Sequence, residues 1–202
     1  MKKLLLLIII TLTLLAGCKS KPITREELNK KIERGEDVTE VNVSEITDMS
    51  HMFHGAESFN QDISGWDVSH VTNMRHMFYG ADSFNQDISR WDVSQVTRME
   101  GMFFGATSFN QDISQWDVSN VTDMSEMFYE AESFNQDISG WDVSSVTGMS
   151  AMFMFAKSFN QDISGWDVSQ DNNMLSMLYG TDSFSYDLSH WADNTILYDP
   201  YI

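Results

Sequence analysis

Cysteine occurs once in this 202-residue chain, at Cys18, so no disulfide can close within it and no thiol cluster can hold a metal. Basic residues are scarce: 12 Lys and Arg stand against 30 Asp and Glu, a formal charge of −18. From residue 41 onward only Arg75, Arg90, Arg98 and Lys157 oppose 24 acidic residues, and such a surface repels nucleic acid and anionic headgroups. It suits solubility, divalent cations or a basic partner. No nucleophile–base arrangement, phosphate-cradling glycine loop, zinc motif or D-x-D-x-D-G calcium loop is present. The expectation is therefore a protein that is not an enzyme and carries no cofactor.

The one long apolar run, Leu4 to Leu15, is too short to span a bilayer comfortably. With Lys2 and Lys3 before it and small residues after it, residues 1–17 read as a signal peptide. Leu15-Ala16-Gly17-Cys18 resembles a bacterial lipobox, which implies cleavage before Cys18 and lipidation of its thiol. The alternative is a secretory signal with a chance cysteine. Acyl chains on Cys18 would hold the mature chain at a membrane surface, because anchoring grows with each buried methylene.

What the chain has in abundance is repetition. Tryptophans at positions 66, 91, 116, 141, 166 and 191 recur every 25 residues within W-D-V-S-x-V-T-x-M-x-x-M-F-x-G-A-x-S-F-N-Q-D-I-S-x. A fixed period of this length means one supersecondary unit stacked on its neighbours. Ile63, Trp66, Val68 and Val71 follow the apolar spacing of a leucine-rich repeat, and alternation at Trp66-Asp67-Val68 predicts a short parallel strand with Asp67 outward. Met74, Met77, Phe78 and Ala81 fall at i, i+3, i+4 and i+7, which predicts a short helix capped by Thr72 and ended by Gly80. Phe84 brings the chain back inward. Ahead of the repeats, Thr24 and Glu27 form a capping box over a helix at 25–34, which would cover the first rung. The fold class expected is an α/β repeat solenoid of about seven rungs over 41–193. A lipidated N-terminus and capping helix (18–40) precede it, and a C-terminal cap or tail (194–202) follows.

These units resemble the repeats of the BspA-like leucine-rich-repeat surface proteins, and similar repeats occur in mycoplasma lipoproteins. The likeness covers residues 41–191. It implies a cell-envelope protein engaged in adhesion, with an extracellular protein or glycan as partner, and it carries over no catalytic residue. The alternative is a structural envelope lipoprotein facing the periplasm. Glu130 and Phe155 depart from the pattern in place of the glycine, as do Asp171-Asn172 in place of Val-Thr and Ser185-Tyr186 in place of Asn-Gln.

Three ladders are candidates for function. Asp67, Asp92, Asp117, Asp142 and Asp167 would stack at the outward middle of successive strands, repelling by roughly 1 kcal/mol per adjacent pair in water. Hydrogen bonds from the Ser69 row, partial protonation or bound calcium would relieve them. The Asn60-Gln61-Asp62 tripeptide, recurring to Asn160-Gln161-Asp162, suits amides bonded from rung to rung. The position after Met-Phe holds His54, Tyr79, Phe104, Tyr129, Met154 and Tyr179, off the core face. Exposed, this is an aromatic stripe for a partner; crowded, it packs between rungs. The methionine rows read as core filling beside Trp and Phe rather than as a copper site. His51 and His76 stack in register, but two histidines make a poor metal site.

Overall fold

The computed structural model describes residues 20–170, 173–189 and 191; the signal segment 1–17, Cys18, Asp171-Asn172 and the 194–202 tail lie outside the described residues. Helix α1 spans Arg25–Glu33, and Thr24 and Glu27 form the reciprocal capping box over its first turn. Gly35, at φ 65°, closes its C-terminus, where the Gly35 and Glu36 amides donate back to Ile32 and Lys31. Leu28 is buried and Ile32 packs against the core. Arg25 reaches past them to pair with Asp48 at 2.8 Å and to donate to the Ser50 carbonyl. The helix thus sits on the first rung, as its sequence predicted.

From there each 25-residue unit makes one coil stacked on the last. Ile63, Trp66, Val68, Val71, Met74, Met77, Phe78, Ala81 and Phe84 are all buried, and their equivalents in later units form one continuous core. From Trp66 to Trp166 each indole finds its partner on the preceding rung. Trp91 Nε1 donates to the Ile63 carbonyl at 3.2 Å and Trp116 Nε1 to that of Ile88 at 3.1 Å. A buried N–H is satisfied while the ring fills the core.

Local structure departs from expectation in two places. Trp66-Asp67-Val68 forms no strand; the parallel bridges instead link Asp48, Asn73, Arg98, Asp123 and Gly148, one residue before each first Met. The Thr72–Gly80 segment is not a helix, and α1 is the one α-helix among the described residues. The physical reason is where the amides go. The N–H groups of Met74, His76, Phe78 and Gly80 donate across to Arg98, Glu100, Met102 and Phe104 of the next rung, at 2.7–3.0 Å. Met77, Tyr79 and Ala81 close three-residue turns onto Met74, His76 and Phe78. No amide is left for the i→i−4 bond that defines an α-helix. His76 and Gly80 are also left-handed, at φ 53° and 63°, which a right-handed helix forbids. Helical spacing placed the right side chains inside, but rung-to-rung bonding took the backbone.

Candidate interaction surface

The outward side chains fall into columns because every rung repeats the same turn. The first column is the sequence-predicted row of Asp67, Asp92, Asp117, Asp142 and Asp167, all exposed. Each carboxylate accepts from the amide two residues on: Ser69 N–H reaches Asp67 Oδ1 at 3.2 Å, and Ser94 N–H reaches Asp92 Oδ1 at 3.1 Å. Serine hydroxyls add second bonds at 2.6–2.7 Å along most of the row. These Asx turns hold Asp92, Asp142 and Asp167 below the usual carboxylate range, against desolvation and, at Asp92 and Asp142, a like charge one rung away. Hydrogen bonding from serine outweighs the repulsion.

Sequence reasoning missed a second acidic column beside it. Asp62, Asp87, Asp112, Asp137 and Asp162 accept from the amides of Ser64, Ser89, Ser114, Ser139 and Ser164 at 2.9–3.0 Å. Serine hydrogen bonds lower their pKa values as well. The signal was legible: D-I-S and D-V-S are the same Asx turn written twice per repeat, five residues apart. The columns border an open groove of about 670 Å³ at the N-terminal end, where Asp62, Gly65 and Asp67 meet Thr39, Glu40 and Asn42. Among the described residues no group of three His, Cys, Asp or Glu stands close enough to hold a metal ion.

The Asn–Gln column is bonded along the stack. Asn60 Oδ1 accepts from the Asn85 amide at 3.0 Å, Asn85 Oδ1 from Asn110 at 3.0 Å, and Asn110 Oδ1 from Asn135 at 2.9 Å. Gln136 Nε2 adds a 2.8 Å bond to Asn110 Oδ1. With its acceptors committed to the next rung, this column is part of the framework.

The stripe after Met-Phe is stacked and half-exposed. His54 lies 4.6 Å from Tyr79, Tyr79 4.3 Å from Phe104, and Phe104 4.3 Å from Tyr129, with ring planes within 11° of parallel. Met154 interrupts the row, and Phe155 bridges from Tyr129 to Tyr179 edge-on. Burial, with Glu130 and Glu126 beside it, pushes the Tyr129 hydroxyl pKa up. Faces of Tyr79 and Phe104 are occupied by their neighbours, so the stripe offers ring edges and hydroxyls rather than open faces.

Flanking the stripe run two left-handed columns that the sequence only half announced. One holds glycine at 55, 80, 105 and 180, but Glu130 and Phe155 keep the same φ, 53° and 60°. Glycine there marks the conformation, and the departures bear it as strain. The other holds His51, His76, Gly101, Glu126, Ala151 and Ser176. His76 lies over Gly101, where an added Cβ would come within 2.2 Å of its Cδ2. The rings of His51, His54 and His76 gather within 4.9–6.5 Å of one another. Burial first, then neighbouring positive charge, lowers the pKa of both His51 and His76.

A stack of near-identical coils with acidic columns on one side and an aromatic column on another defines a repeat protein whose outward groups recur rather than converge. The chain belongs to the family described as "Mycoplasma protein of unknown function, DUF285", which matches residues 26–121 and 110–197. No curated protein and no solved structure matches it.

Proposed function

We propose that this protein is a BspA-like, lipid-anchored module of the bacterial cell envelope, a solenoid that presents its outer columns to a protein or glycan partner in adhesion. The observation that carries this reading is the register of those columns: the same carboxylate–serine pairs and aromatic edges recur on successive rungs. Binding then consists of weak contacts summed along a preformed surface, so little ordering cost opposes association. Sugar hydroxyls suit the Asp–Ser columns, and protein side chains suit the aromatic edges. The reading includes no catalytic step, because the rungs repeat one set of groups and single out no nucleophile. Among the described residues no helix is long and apolar enough to cross a membrane, and the anchor in this reading is the lipid on Cys18.

Protease treatment of intact cells, followed with an antibody to the repeats, tests it. Degradation without lysis is expected. Protection until the envelope is opened would instead favour a structural lipoprotein facing inward.

A further inference from the structure

The C-terminal end of the stack is an open edge. One rung below it, the amides of Met149, Ala151 and Phe153 donate onward to the carbonyls of Asn173, Leu175 and Met177 at 2.9–3.1 Å. The corresponding amides of the last described rung, Met174, Ser176 and Leu178, meet no acceptor among the described residues. Side chains are uncovered there too. Leu178 and Phe184 are half-buried, where Phe153 and Phe159 one rung back are fully buried. Leu175 stands 55% exposed in a column that otherwise holds Ser50, Arg75, Glu100, Ser125 and Ser150. An edge of donors needs a segment that brings carbonyls and apolar side chains together.

We propose that residues 196–202 dock on this edge as one more, partial coil in the same 25-residue register. The amides of Met174, Ser176 and Leu178 then donate to the carbonyls of Tyr198, Pro200 and Ile202. Residue types along the segment fit that register. Ile196 falls in the inward column of Val71, Val96, Val121 and Val146. Pro200 falls on Leu175, which accounts for an apolar side chain in a polar column. At the same position Arg75 and Ser125 spend their amides within their own rung, on Asn73 Oδ1 and Asp123 Oδ1, so proline removes no rung-to-rung bond. Tyr198 takes the place of those Asn and Asp acceptors, and with Pro200 two residues on there is no N–H for it to receive. Asp193 and Asp199 fall in inward columns, which a carboxylate can occupy only on an outermost coil that is open to water.

Two copies cannot close this edge tail to tail, because both would bring donors. The first rung of a second copy offers carbonyls, but Arg25 of α1 already holds that of Ser50. The docked segment leaves the aspartate columns and the aromatic stripe uncovered on the rungs below.

The test is amide hydrogen exchange of the full chain, read by NMR at Met174, Ser176 and Leu178. All three are expected to exchange at least about tenfold more slowly than exposed amides, at every protein concentration. Ile196→Asp should speed them by about tenfold or more while Met149, Ala151 and Phe153 stay protected, which shows that the rungs beneath are intact. Exchange of the three amides at exposed rates in the unaltered chain would overturn the proposal. So would protection that survives Ile196→Asp, which would give the edge to another segment. Protection that fades on dilution would overturn it in favour of a second copy.

Discussion

Two aromatic columns run side by side through this molecule, one residue apart in sequence and opposite in circumstance. Phe53, Phe78, Phe103, Phe128 and Phe153 are fully buried and stack at 5.3–5.6 Å with planes within 8°. His54, Tyr79, Phe104 and Tyr129 stack as closely outside, then give way to Met154. The inner column holds one residue type on five successive rungs, because a packed interior tolerates one volume. The outer column changes chemistry almost every rung although its backbone does not change. Ring stacking alone therefore does not dictate identity, and the outer column is where a rung can differ from its neighbour without disturbing the coil.

Truncation should separate the columns most sharply. Phe103→Ala removes a fully buried ring in contact with Phe78, Phe109 and Phe128, and about 3–5 kcal/mol of stability should go with it. Phe104→Ala, one residue on, should cost no more than about 1 kcal/mol in urea unfolding, because its site is half open to water. Equal losses would mean the outer stack is framework.

A pH titration probes the same contrast, since His51 and His76 flank the outer column where it begins at His54. His51 and His76 have folded pKa values below 6.5, so the unfolded chain takes up their protons first. Their contribution to stability is complete above pH 6.5 and is lost as pH falls through the lowered folded values. The Asx-bonded aspartates add a second loss at lower pH, because their folded values lie below 3.8. The melting temperature should thus fall in two separate ranges, and replacing His51 and His76 with Asn should remove only the upper one.

The smallest effect concerns the left-handed flank. Glu130→Gly should raise stability by about 0.5–1 kcal/mol, relief of the left-handed strain exceeding the added chain entropy. A loss of stability would show that the Glu130 side chain makes a compensating contact.

The sequence made the architecture legible at the level of sides rather than bonds. The 25-residue period, the inward residues from Ile63 to Phe84, the capping box at Thr24 and the outward aspartates can all be read from residue types. Met74, Met77, Phe78 and Ala81 do share the core, but a spacing that fits a helix also fits a chain turning every three residues. What decided between them was the left-handed residue at His76, and histidine carries no such signal as glycine does. Of the candidate site, the aspartate and aromatic columns could be placed in advance. The second aspartate column is written in D-I-S as plainly as the first is in D-V-S, but Asp62 also ends the Asn-Gln-Asp tripeptide, and residue types alone do not say that its carboxylate turns to Ser64 rather than along the amide row.

The ladder of amides described above has a direction. The carbonyls of Asn73, Arg75, Met77 and Tyr79 all point toward the N-terminal end, and the amides that follow them toward the other. Peptide dipoles aligned this way add, as they do along a helix, so the stack has a negative head and a positive tail. Arg25 stands at the head with its guanidinium on the Ser50 carbonyl, the sign that such a pole attracts. Like a bar magnet, the coil can be extended end to end in one sense only. α1 already stands at the pole that an incoming coil would need, the place a terminal cap takes in a stack of repeats.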